Sequence, residues 1–183
     1  MTIIYVNWHD DDTAILPLIW QNIPNANVIE ITAESENWED AVDNAIANEY
    51  DTLILAGHGS IYGLLFPDYN YGTYVVHENN VHLIHARNVI FSFCYASTFL
   101  INNHIRGFAT GMFISNEKEA YDNGILNYCQ DEINLNSRQF QNEINWLLRN
   151  EIPLNEWTMR LGAHMDIENA IDVFNRQGLY YNE

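Results

Sequence analysis

Short apolar runs alternate with stretches in which apolar residues recur at helical spacing, and this alternation organises the first half of the chain. Residues 2–8, 27–32, 52–56 and 89–93 have the length and the Ile, Val, Leu and Phe content of buried strands, and 108–115 reads as a fifth. Between them, 14–21 reads as a helix capped by Asp11 or Asp12 and stopped before Pro24. Residues 35–48 read as a second helix, with Trp38, Val42, Ala45 and Ile46 on one face. A helix over 96–103 follows the fourth strand. Helices over 117–129, 137–150 and 167–177 complete the pattern, with Pro153 breaking the last two apart. Strands that alternate with helices predict an α/β protein whose mostly parallel sheet is covered on both faces. With no linker or repeat, 1–183 reads as a single domain, an α/β core over 1–130 followed by a helical part over 131–183.

The alternation is interrupted at 60–87. Two apolar stretches, 63–66 and 73–77, flank Pro67-Asp68-Tyr69-Asn70-Tyr71-Gly72, which predicts a β-hairpin inserted between strands three and four, followed by a short helix at 81–84. An excursion from the carboxyl end of a parallel strand lies beside the usual ligand crevice of such a sheet. Tyr62, Tyr69, Tyr71 and Tyr74 make it aromatic, suited to lining a peptide groove or to packing on the sheet.

Charge narrows the partners. The 183 residues carry 25 acidic and 7 basic side chains, a formal net charge of −18. Such a surface repels the phosphates of nucleic acids and anionic membranes and tolerates basic peptides or cations. The opening apolar run has no basic leader, and His9-Asp10-Asp11-Asp12 follows it; no stretch is long enough to span a bilayer. The 2 cysteines, Cys94 and Cys129, form no CxxC pair or disulfide framework. The compartment this predicts is a reducing cytoplasm, where a free thiol survives.

The chemistry is suggested by two strand ends. The third run passes into Gly57-His58-Gly59-Ser60 and the fourth into Cys94-Tyr95-Ala96-Ser97. In a parallel sheet all carboxyl ends emerge at one edge, and neighbouring strands are about 4.8 Å apart, so His58 and Cys94 can approach if strands three and four pair. A histidine base beside a cysteine nucleophile is the arrangement for thiol-based acyl transfer. The helix at 96–103 would set its N-terminal dipole near the sulfur, which together with His58 would favour thiolate. Gly59 would permit positive φ and close approach of a substrate carbonyl, and its amide and that of Cys94 could form an oxyanion hole. A strand-end cysteine can equally be a buried hydrophobe, and Gly-His-Gly a tight turn.

These residues resemble the caspase-like cysteine peptidases, the group that includes caspases, metacaspases, legumains, clostripains and gingipains. There a hydrophobic strand ends in His-Gly and a later one in the nucleophilic cysteine; here 53–56 lead to His58-Gly59 and 89–93 to Cys94. The resemblance covers about 1–130. It implies the caspase-haemoglobinase fold, a three-layer α/β/α sandwich with strand order 2-1-3-4-5. It also implies Cys94 as nucleophile, His58 as base and Gly59 in the oxyanion hole, with a peptide or protein as substrate and no cofactor. Two departures stand out: the caspase Gln-Ala-Cys is absent, and Ser92 occupies the position two before the cysteine, where metacaspases carry an acidic residue. Ser92, Asp68, Glu117 and Glu119 are the candidates for substrate binding, the carboxylates as holders of a basic side chain.

Two other constellations offer alternatives. Asp10, Asp11 and Asp12 end the first strand on the same edge and could bind Mg²⁺ or Ca²⁺ as in a receiver- or flavodoxin-like domain, although that reading wants an aspartate where Gly57-His58 stand. His82, His85 and the nearby His77 could suggest zinc but lack a further ligand in register, and solvated histidines are the simpler reading, with no metal expected. Phosphate-loop, dinucleotide and Gly-x-Ser-x-Gly motifs are absent. The expected function is therefore a cysteine peptidase. The alternatives are a catalytically silent module of the same fold that binds peptides or assembles, and the cation-binding domain.

Overall fold

A computed structural model describes residues 1–68 and 72–183; Tyr69, Asn70 and Tyr71, assigned above to the hairpin turn, lie outside the described residues. The strands are β1 (Thr2–Val6), β2 (Asn27–Ile31), β3 (Thr52–Ala56), β4 (Gly59–Ser60), β5 (Gly63–Leu65), β6 (Tyr74–His77), β7 (Asn88–Ser92), β8 (Gly107–Ala109) and β9 (Tyr180–Asn182). The α-helices are α1 (Asp11–Ala14), α2 (Trp38–Ile46), α3 (Ala96–Asn102), α4 (Glu117–Asp122), α5 (Gln130–Arg149), α6 (Trp157–Ala163) and α7 (Ala170–Gln177). The protein is α/β. Its main sheet has 6 strands in the order β2-β1-β3-β7-β8-β9, parallel except for β9, which pairs antiparallel with β8.

The strands are buried because their side chains alternate between two apolar faces. Ile4, Val6, Leu53, Leu55 and Phe91 point to the side covered by α2 and α3. Ile3, Tyr5, Ile54, Ala56 and Ile90 point to the other, against α5, α6 and the 3₁₀ turn Leu16–Trp20. Both faces are thus covered by helices. The insertion between β3 and β7 folds as predicted into the β5–β6 hairpin, to which β4 adds a third strand. Its Leu64, Val75 and Val76 join the α2/α3 side of the core, so the small sheet is tied to the main one by buried apolar contact.

Several boundaries move, each for a local reason. The first helix is only α1 followed by the 3₁₀ turn, because Pro17 cannot donate to an α-helical ladder; its cap is Asp10, rather than Asp11 or Asp12. The helix expected at 117–129 stops at Asp122: Gly124 and Asn127 adopt positive φ of 75° and 68°. The helix expected from 137 begins at Gln130, its first turn fastened by the Cys129 amide donating to Glu132 and the Gln130 amide to Glu117. The fifth strand is Gly107–Ala109 instead of 108–115, because the following chain leaves the sheet to wrap the end of β7. There Tyr95 and Ser97 amides donate to Gly111 and Thr110 carbonyls. Neither α6 nor β9 was anticipated.

Candidate active site

The carboxyl edge of the sheet is built by three neighbouring strand ends. Tyr5 pairs with Ala56 and Ala56 with Ser92, so the chains leaving β1, β3 and β7 emerge side by side. After β1 the chain turns through His9, at φ 56°, into the cap of α1. Asp10 Oδ1 accepts from the Thr13 amide at 2.8 Å and the Thr13 hydroxyl at 2.7 Å. These bonds fix the carboxylate and leave Oδ2 facing the next strand end, where it lies 2.7 Å from His58 Nε2. Trp8 meets the His58 ring edge to face, with centroids 5.2 Å apart. The imidazole is therefore held by a charged hydrogen bond and an aromatic wall, and among the described residues its Nδ1 has no hydrogen-bond partner.

Glycine is required on both sides of His58, for different reasons. Gly57 has φ +155°, and a Cβ there would lie 2.9 Å from that of Val6. Gly59, contrary to expectation, is not in the left-handed region; a Cβ there would lie 2.2 Å from the Phe93 ring. The Leu65 amide donates to the His58 carbonyl, and Gly59 pairs with Leu64 in the next position. Alternation along an antiparallel ladder then turns the Gly59 amide away from β5.

Cys94 sits in the tight connection from β7 to α3. Tyr95, at φ 62°, makes the turn, and the Ala96 amide closes it on the Phe93 carbonyl at 3.2 Å. The thiol donates to the Phe113 carbonyl at 3.7 Å, a bond that only the protonated form makes. Burial pushes the Cys94 thiol up to about 12, with the negative charges of Glu119 and Asp12 adding to the effect. Desolvation and two carboxylates thus oppose the expected bias toward thiolate in the resting protein, and α3, which would supply the dipole, is a short helix of 7 residues. For Asp10, burial alone would raise the pKa, but the Thr13 hydrogen bonds and the His58 ring hold it below the usual carboxylate value.

His58 and Cys94, with Asp12, line both of two neighbouring spaces. An outer cleft of about 370 Å³ is also bordered by Trp8, Gly59, Tyr95 and Glu119. An inner chamber of about 50 Å³ reaches down to Ser92, Ser137 and Gln141. Of the substrate-binding candidates, Ser92 lines the chamber and Glu119 the cleft, where Glu119 accepts from the Ser115 amide and hydroxyl at 2.9 Å. Glu117 and Asp68 border neither; Glu117 is occupied at the start of α5. A larger open groove of about 840 Å³, beside α2 and the hairpin, holds neither His58 nor Cys94.

The residue that sequence reasoning assigned otherwise is Asp10, read there as a cation ligand; here it is the cap of α1 and the partner of His58 at once. The Asp12 carboxylate accepts from Asn116 Nδ2 at 3.1 Å. Among the described residues no three His, Cys, Asp or Glu side chains gather as metal ligands, and no helix is long and apolar enough to cross a membrane. Comparison with family models, curated proteins and solved structures gives no match.

Proposed function

We propose that the chain is a cysteine peptidase of the caspase-like group, with the caspase-haemoglobinase fold, acting through Cys94, His58 and Asp10. The observation that carries this reading is the 2.7 Å Asp10–His58 pair, which leaves Nδ1 of the ring unpartnered among the described residues, in a cleft that it shares with Cys94. A carboxylate that fixes one nitrogen of an imidazole sets its tautomer and stabilises the imidazolium formed when the other takes a proton.

Because the resting thiol is protonated, its proton leaves as the sulfur attacks. His58 accepts that proton while the Cys94 sulfur bonds to the substrate carbonyl carbon, and the carbonyl oxygen becomes an oxyanion. In this reading the amides of Gly59 and Cys94 donate to it. Collapse breaks the C–N bond, His58 gives its proton to the departing amine, and a thioester remains. Water, deprotonated by His58, adds to the thioester, and the sulfur leaves with its proton restored. A reducing cytoplasm keeps such a thiol free.

The alternative, a catalytically silent module of the same fold, is favoured by the half-buried, protonated state of the thiol. Peptide acyloxymethyl ketones separate the two. Modification at Cys94 by intact mass, absent in Cys94→Ala and at least tenfold slower in His58→Ala, supports the peptidase. Labelling that is absent, or equal at Cys94 and Cys129, supports the silent module.

A further inference from the structure

Beneath the proposed catalytic pair, the fold leaves polar groups unused. Ser137 and Gln141 lie one turn apart on α5, each 3% exposed, and both line the inner chamber with Ser92 and Cys94. Among the described residues neither Ser137 Oγ nor Gln141 Oε1 has a hydrogen-bond partner. Folded proteins satisfy nearly every buried polar side chain, so two orphans facing one cavity mark a place where a ligand completes the bonding.

Size and charge restrict that ligand. A water needs about 10–15 Å³ of such space, so a chamber of about 50 Å³ admits about four non-hydrogen atoms. Lysine and arginine side chains exceed this. An apolar group would leave both orphans unpaired, and a carboxylate would meet the negative charges of Asp12 in the chamber wall and Glu119 above it. A carboxamide of four non-hydrogen atoms meets both demands: its NH₂ donates to Gln141 Oε1 and its oxygen accepts from the Ser137 hydroxyl.

We propose that this chamber receives the substrate side chain preceding the cleaved bond and selects asparagine over acidic, basic and apolar residues. The position of that residue rests on the peptidase reading; its chemistry rests on the chamber.

The test uses Cys94→Ala protein, so that binding is measured without catalysis. Acetylated tetrapeptide amides differing only in an internal Asn, Asp, Arg or Ala are titrated calorimetrically. The Asn peptide is expected to bind about tenfold or more tightly than the Ala peptide, the discrimination of one well-made buried hydrogen bond. Adding the near-isosteric Gln141→Met, or separately Ser137→Ala, should remove that preference while leaving the thermal midpoint unchanged or raised. Equal binding of Asn and Ala peptides, or preference for Asp or Arg, overturns the proposal. Ketone labelling of the wild type distinguishes the two failures. Labelling at Cys94 with arginine preferred sinks the pocket assignment and leaves the peptidase. Asn-selective binding without labelling keeps the pocket's chemistry and sinks the peptidase.

Discussion

Asp10 Oδ2 and His58 Nε2 lie 2.7 Å apart although 48 residues separate them, and Asp10's other oxygen caps α1. One carboxylate thus ties the first helical turn to the proposed base. Asp10→Asn separates the roles, because asparagine caps a helix as well as aspartate but carries no charge to stabilise an imidazolium. Peptidase kcat/KM is expected to fall by about 100-fold or more, as for triads that lose this charge. Asp10→Ala adds the loss of the cap, about 1 kcal/mol in denaturant unfolding. The acid limb carries the sign: a carboxyl held below its usual 3.8 stabilises the fold above that pH and loses the contribution as pH falls through its lower folded value. Wild type and Asp10→Asn should therefore converge in stability once the pH has fallen from 3.8 through that lower folded value, and a gap that persisted there would place its origin elsewhere.

Cys94 makes the opposite prediction at the alkaline end. Its thiol is raised from 9.0 to about 12, so the folded state holds the proton more tightly than the unfolded chain does. The resulting stability is present below pH 9.0 and lost as pH rises from there toward about 12. Tyr5, raised to about 12 by burial, loses its share in an overlapping range, so the comparison is between wild type and Cys94→Ala. The alkaline decline in thermal midpoint should be shallower in Cys94→Ala. In wild type, alkylation of Cys94 by iodoacetamide should still accelerate beyond pH 10. Glu119→Gln removes a negative charge from the cleft and should shift that profile to lower pH; an unmoved profile would remove Glu119 from the electrostatics of the thiol.

The sheet was legible because its strands are continuous apolar runs, and the strand ends carry the two motifs. What the pattern could not give were relations set by tertiary structure. Asp10 sits among three consecutive aspartates, and nothing local tells which of them faces His58. Ser137 and Gln141 lie in the apolar stripe of α5 and carry no motif, and only the chain of 110–116, leaving the sheet, puts them in one chamber with Cys94. Desolvation of the thiol follows from that same enclosure and opposes the thiolate bias read from the sequence. The strand β9 is three residues long and forms only because β8 offers an edge.

The helical part is anchored by one buried cation. Arg176, 6% exposed, donates to Asp172 Oδ1 at 2.7 Å, to Glu143 at 2.7 and 3.1 Å and to the Leu161 carbonyl at 2.7 Å. Arg176→Met would leave Asp172, itself 3% exposed, without its counter-charge. The expected loss is about 3–5 kcal/mol in urea unfolding. Replacing the partners together, as in Arg176→Met with Asp172→Asn and Glu143→Gln, should recover part of it, and a triple variant no more stable than the single one would show that packing against Phe140 carries the effect.

Gly59 distinguishes a steric requirement from a conformational one. Its backbone suits any residue, yet a Cβ would lie 2.2 Å from one carbon of the Phe93 ring and 2.9 Å from the Phe93 Cβ. Gly59→Ala should therefore cost about 1–3 kcal/mol of stability through overpacking. It should also lower kcat more than it raises KM, because the Gly59 amide is a proposed oxyanion donor and moves with the displaced strand. Phe93→Leu removes ring atoms from the collision while keeping an apolar side chain. The double variant should then be more stable than the two single losses sum to, with a coupling of about 1 kcal/mol between these contacting residues. Additive losses would mean that Phe93 does not make the glycine necessary. Restored stability with kcat still depressed would assign the catalytic loss to the position of the amide rather than to the packing behind it.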